Sequence, residues 1–89
     1  MMNWYVYIIR CGDGTLYTGI STDVERRLVE HQEGGPKASR CLRGRGPLQL
    51  MLKLHACDRA LERRIKRLPR AQKDALIQHP ETMHKIVGL

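Results

Sequence analysis

The 89-residue sequence predicts an α+β fold, a small three-stranded, mainly antiparallel sheet flanked by helices in the order β-β-α-(α)-β-α-α. Three observations predict it. The segment "WYVYIIR" (Trp4–Arg10) has the aromatic and β-branched composition of a strand covered on both faces. The segment "LQLMLKLHA" alternates Leu48, Leu50, Leu52 and Leu54 with Gln49, Met51, Lys53 and His55, the two-residue period of a strand. Apolar residues recur at helical spacing in Val24 and Leu28, and again in Leu61, Ile65 and Leu68. A chain of this length has room for one domain, residues 1–89, with a core over about 3–79 and a tail from residue 80.

The elements follow in order. After the first strand, "CGDGT" is turn chemistry and "LYTGI" (Leu16–Ile20) is a second strand, so a hairpin opens the fold. A two-residue loop, Asp13-Gly14, would put Tyr7 and Tyr17 on opposite faces of the sheet. A three-residue loop, Gly12-Asp13-Gly14 with Gly14 left-handed, changes the parity. It pairs Cys11 with Thr15, sets Tyr7 opposite Gly19 and Tyr17 opposite Ile9, and gives Tyr5, Tyr7 and Tyr17 one face. This second register is the one adopted, and in it Gly19 leaves an open space beside the tyrosines. Next, "TDVE" reads as a capping box with Thr22 as the cap and Glu25 reaching back. Arg27 and His31 then project together along one edge of the Val24/Leu28 stripe, while Arg26 and Glu30 face water. "EGG" and Pro36 end this helix near residue 33. A basic segment, "KASRCLRGRGP", carries a short helical turn over 38–42 before the third strand. Asp58 caps the helix after it, Pro69 interrupts, and "RAQKDALIQH" forms one more short helix before Pro80.

Charge narrows the partner. A formal net charge of +7 on 89 residues suggests a polyanion, and nucleic acid is the commonest one. The basic helices carry no Phe and the one Trp lies in a strand, which argues against a membrane surface. The three cysteines, Cys11, Cys41 and Cys57, form no C-x-x-C and cannot all pair. His55 and Cys57 lack a second pair for zinc, so free thiols in a reducing cytoplasm are expected. No apolar run approaches a membrane span, and no targeting segment opens the chain.

Five side chains converge in this scheme: Tyr7 and Tyr17 from the hairpin, Arg27 and His31 from the first helix, and Glu62 at the border of the later apolar stripe. Each alone has an ordinary structural explanation. A strand tyrosine is usually core, an arginine on a basic face is usually solvated, and Glu62 has Lys66 one turn on to pair with. Their joint placement is what points to chemistry.

"YVY" at 5–7 and "YTG" at 17–19, with "DVERR…H" and a downstream Glu in register, resemble the two half-motifs and the catalytic helix of the GIY-YIG nuclease family. The likeness runs over essentially the whole chain. It is closest to the small stand-alone bacterial members, through "LYTGISTDVERR", "SRCLRGRGPL" and "ERRIKRL". The resemblance implies a metal-dependent nuclease hydrolysing phosphodiesters of nucleic acid, DNA first, in repair or damage response. It implies one Mg²⁺ or Mn²⁺ held by Glu62. Arg27 would bind a non-bridging phosphate oxygen, and Tyr7, partnered by Tyr17, would activate or orient the attacking water. His31 would relay the proton or bind phosphate, while Gly19 and Tyr5 shape the site. An ordinary phenol has a pKa near 10, with roughly one in a thousand ionised at pH 7, so Arg27 and the cation are expected to lower that of Tyr7. Arg26, Lys37, Arg40, Arg43, Arg45, Arg63, Lys66 and Arg67 would grip the nucleic-acid backbone, because they carry charge without interleaved aromatics. The sequence departs from the signature at Tyr5, Val6 and Thr18, none of them a reactive position, and its only Asn is Asn3, which cannot stand for the late Asn of larger members. A binding module on the same fold, with little or no catalysis, is the alternative. A second copy or a partner protein has no support in the sequence.

Overall fold

The computed structural model describes residues 3–56 and 59–87. Three strands, β1 (Trp4–Arg10), β2 (Leu16–Ser21) and β3 (Gln49–Ala56), form one antiparallel sheet in the order β2-β1-β3. Helix α1 (Val24–Glu33) follows the hairpin, a 3₁₀ turn spans Arg40–Leu42, and α2 (Ala60–Lys66) and α3 (Arg70–Gln78) follow β3. The segment from Pro80 is ordered too: a 3₁₀ turn leads into α4 (Met83–Val87), and Met83 and Ile86 pack against the core.

The hairpin takes the three-residue loop. Cys11 N–H donates to the Thr15 carbonyl at 2.8 Å, Gly14 N–H donates to the Cys11 carbonyl at 2.9 Å, and Gly14 sits at φ +87°. Tyr7 therefore lies opposite Gly19 and Ile9 opposite Tyr17. Being central, β1 is covered on both faces, as its composition requires. Val6 and Ile8 join Leu52, Ala56, Leu61, Ile65 and Leu76 under α2 and α3. Tyr7, Ile9 and Cys11 join Val24, Leu42 and Leu48 under α1 and the loop that follows it.

Two expectations are corrected. The cap of α1 is Asp23, not Thr22: its carboxylate accepts from Arg26 N–H at 3.1 Å. Ser21 Oγ accepts from Asp23 N–H at 3.0 Å, which tightens the turn and starts the helix one residue later. Glu25, instead of reaching back, takes Lys53 Nζ at 3.1 Å across the sheet. The alternation of β3 is that of a strand, as expected, but it does not define one face. Its register against β1 shifts between Ile8 and Ile9, so that Leu52 faces Ile8 but Leu50, not Met51, faces Ile9. This bulge at Met51 sends Leu48 and Leu50 to the α1 side and Leu52 and Leu54 to the α2 side. The expected Asp58 cap and Cys57 lie outside the described residues. Among those described, Cys11 is a buried free thiol and Cys41 an exposed one, and no helix is long and apolar enough to cross a membrane.

Candidate active site

A cleft of about 510 Å³ opens over β2, with α1 on one side and α2 on the other. Tyr7, Tyr17 and Gly19 form its floor, Arg27 enters from α1, and Glu62, Arg63 and Lys66 enter from α2. The hairpin register, the cap on α1 and the Leu61/Ile65 anchor of α2 are what bring these groups together.

Tyr7 is 2% exposed, and its ring lies against Gly19. A Cβ at Gly19 would be driven into the Tyr7 hydroxyl and Cζ, so the space expected beside the tyrosines is already filled by Tyr7. Behind Tyr7, its hydroxyl meets His31 Nε2 at 3.1 Å, and His31 Nδ1 accepts the Ser39 N–H at 3.2 Å. The second bond decides the direction of the first. A ring nitrogen that accepts from a backbone amide carries no proton, so the neutral imidazole is protonated at Nε2 and donates to Tyr7 Oη. The tyrosine's own proton then points away from His31. Burial and the charge of Arg27 both hold the His31 pKa below its ordinary value, which keeps the ring neutral at pH 7.

His31 is thus buried behind Tyr7 with both nitrogens engaged, and it does not line the cleft. It lines instead a separate pocket of about 300 Å³ with Leu42, Pro47 and Leu48, so a phosphate in the cleft does not meet it. The pKa expected for Tyr7 is also corrected. Burial pushes it up to about 12, with Tyr17 and Glu62 adding to the effect and Arg27 opposing it. In the free protein, desolvation outweighs the neighbouring cation. Tyr17 completes an aromatic cluster, edge-on to the His31 ring at 5.6 Å and tilted against Tyr7 at 6.4 Å between centroids. Tyr5 shares the sheet face but not the cleft: its ring packs edge-on to His55 and takes Lys53 Nζ over its face at 4.7 Å.

Arg27 is held in place by Glu30, 3.2 Å from Nη1, and by the Lys37 carbonyl. Glu62, its side chain 17% exposed, lies 3.5 Å from Lys66 Nζ and is the one acidic side chain lining the cleft. No three His, Cys, Asp or Glu side chains cluster among the described residues. A single carboxylate walled by cations does not suit zinc, but it does suit a hard cation that keeps most of its waters. The lining also contains a buried oxygen with unused capacity, Oγ1 of Thr18. Glu62 would hold such a cation, and the residues present fit it.

The other cations divide. Arg63 and Lys66 line the cleft, together with Arg59, which the charge pattern places in the basic stretch without marking it out. Arg67 borders a shallow depression beside Arg63. Lys37 sits 3.9 Å from Glu30, Arg43 donates to the Gly35 carbonyl at 3.2 Å, and Arg45 lies 3.9 Å from Asp13, all outside the cleft. Arg26 and Arg40 are exposed and also lie outside it. Asn3, against His55 at 3.4 Å, is no part of the site.

With this geometry in view, comparison with known proteins is decisive. The family model of the GIY-YIG catalytic domain matches residues 3–75. The chain belongs to the GIY-YIG family. Its relatives include a UPF0213 protein of Serratia liquefaciens, 48% identical over 86% of this chain and 78% of the relative. Another is the UPF0213 protein YhbQ of Salmonella arizonae, 43% identical over 99% of this chain and 90% of its own. The solution NMR structure of a UPF0213 protein from Bacillus halodurans superposes with a TM-score of 0.53 at 41% identity, covering 86% of this chain and 84% of that one. Tyr7, Tyr17, Arg27, His31 and Glu62 all lie within the matched residues, and membership of a nuclease domain family points to activity on nucleic acid.

Proposed function

We propose that the protein is a nuclease that hydrolyses phosphodiester bonds of DNA, with one Mg²⁺ or Mn²⁺ at Glu62, in DNA repair or the response to damage. The observation that carries this reading is the chain Ser39 N–H to His31 to Tyr7 Oη, ending in a cleft whose walls supply Arg27 and Glu62. When bound, the cation neutralises charge on the scissile phosphate and its leaving oxygen. Arg27, fixed by Glu30 and the Lys37 carbonyl, presents a planar fork to non-bridging oxygens. Arg59, Arg63 and Lys66 line the approach and hold the flanking phosphates. Tyr7 keeps its proton in the free protein at neutral pH, because burial pushes its pKa up to about 12. Once added positive charge in the cleft offsets burial, the Tyr7 proton, which points away from His31, passes to solvent, and the phenolate held by the His31 donor takes the proton of the attacking water. His31 acts through Tyr7 alone.

The binding module on the same fold keeps one specific observation in its favour, the upward shift of Tyr7, since a catalytic base needs the opposite. A cleavage assay on single-stranded, duplex, nicked and branched DNA separates the two readings. With Mn²⁺ we expect cutting by the wild type, none in EDTA, and losses of at least about a hundredfold in Glu62→Gln and Tyr7→Phe with binding retained. Salt-sensitive binding without cutting by any of the three would establish the binding module.

A further inference from the structure

Thr18 stands where the family signature has Ile, so what this chain adds at that position is a hydroxyl. The residue is 3% exposed, and its Oγ1 is the one buried side-chain oxygen or nitrogen without a hydrogen-bond partner among the described residues. A buried hydroxyl left unpaired is a cost that a Val at the same place would avoid, so the atom calls for a use. The atom is shut off from bulk solvent, so the groups packed around it are the candidates for its partner. Register narrows the choice. Thr18 pairs with Ile8, so its side chain shares the sheet face covered by α2, and Thr18 lines the cleft. From that same side come Ile20, Arg59, Glu62, Arg63 and Lys66. The arginines and the lysine only donate, and Ile20 is apolar. The one side chain there able to accept the threonine proton is Glu62, now drawn to Lys66 Nζ at 3.5 Å.

We propose that Thr18 is a positioning residue for Glu62. When a substrate phosphate draws Lys66 away, the Thr18 hydroxyl donates to one carboxylate oxygen and fixes the other toward the cation. This role rests on the nuclease reading above. Outer groups that orient a ligating carboxylate in this way are worth roughly tenfold to a hundredfold in metal affinity.

The test is Mn²⁺ titration, read by electron paramagnetic resonance, on the protein with an uncleavable phosphorothioate duplex. Wild type would be compared with Thr18→Val, Thr18→Ser, Thr18→Ala and Glu62→Gln, with the melting temperature of each free protein taken in parallel. The expected result is an approximately tenfold weaker Glu62-dependent affinity in Thr18→Val and Thr18→Ala, wild-type affinity in Thr18→Ser, and a melting temperature for Thr18→Val at or above wild type. Affinity that follows side-chain size rather than the hydroxyl, or is unchanged in Thr18→Val, would overturn the role of Thr18 and leave the nuclease reading standing. Equal affinity in wild type and Glu62→Gln would overturn the reading itself, and the role of Thr18 with it.

Discussion

The two faces of β1 are built on opposite plans. Toward α2 and α3, the buried cluster is aliphatic throughout: Val6, Ile8, Leu52, Ala56, Leu61, Ile65 and Leu76. Toward α1, apolar Ile9, Leu42 and Leu48 surround a buried phenol, and a buried imidazole hydrogen-bonds that phenol from behind. The first face is built on volume, with the Thr18 hydroxyl at its border with the cleft, and it supplies the stability of a small domain. The second must hold polar atoms at fixed distances while excluding water, which demands a partner for each of them. The protein keeps the two jobs apart by giving them to alternate residues of one strand.

The largest test of this division falls on the aliphatic face. Leu76, fully buried on α3 and remote from the cleft, should cost about 2–5 kcal/mol when cut to Ala, measured by urea unfolding. DNA cleavage per folded molecule should stay unchanged; a loss there would show that the two faces are not independent. Gly19→Ala should do the reverse. Its Cβ meets the Tyr7 phenol, so stability should fall by only about 1–3 kcal/mol while cleavage is abolished in the protein that remains folded. Retained cleavage would mean that Tyr7 can be displaced without consequence. The smallest effect is one of pH. Because the folded-state pKa of His31 is lowered, the folded protein binds fewer protons than the unfolded chain in that range. The stability this confers is present above the unfolded value, near 6.5, and is lost as pH falls through the folded value. Thermal melts from pH 8 to pH 5 should show wild type losing more stability on acidification than His31→Gln. Parallel curves would place the burial of the imidazole in doubt.

Much of the polar face was legible in the sequence because turn chemistry fixes parity. Once Gly12-Asp13-Gly14 is a three-residue loop, the pairing of Tyr7 with Gly19 and of Tyr17 with Ile9 follows without further information. The four-residue spacing of Arg27 and His31 likewise puts them on one side of α1. What periodicity could not convey was depth. His31 is buried behind Tyr7 only because the segment after α1 folds back and places the Ser39 amide on its Nδ1, a contact eight residues away in sequence. The leucines of β3 alternate perfectly, yet one extra residue at Met51 splits them between the two faces, and no pattern along a single strand reports its pairing with another. Thr18 reads in the sequence only as a harmless departure from the signature, and Arg59 only as the start of a basic run, for a related reason. A threonine in a strand and an arginine in a basic run are unremarkable until the cleft they line is known.

Strand β2, finally, lies at the edge of the sheet. An unpaired edge invites a strand from another molecule, and proteins commonly guard such edges with charge. Here the guard is the cleft itself, with Arg27 on one flank of the strand and Glu62, Arg63 and Lys66 on the other. The same side chains line the cleft and place charge along the exposed edge. A change of charge at these positions therefore alters what the sheet edge presents to a neighbouring strand as well as what the cleft presents to a ligand.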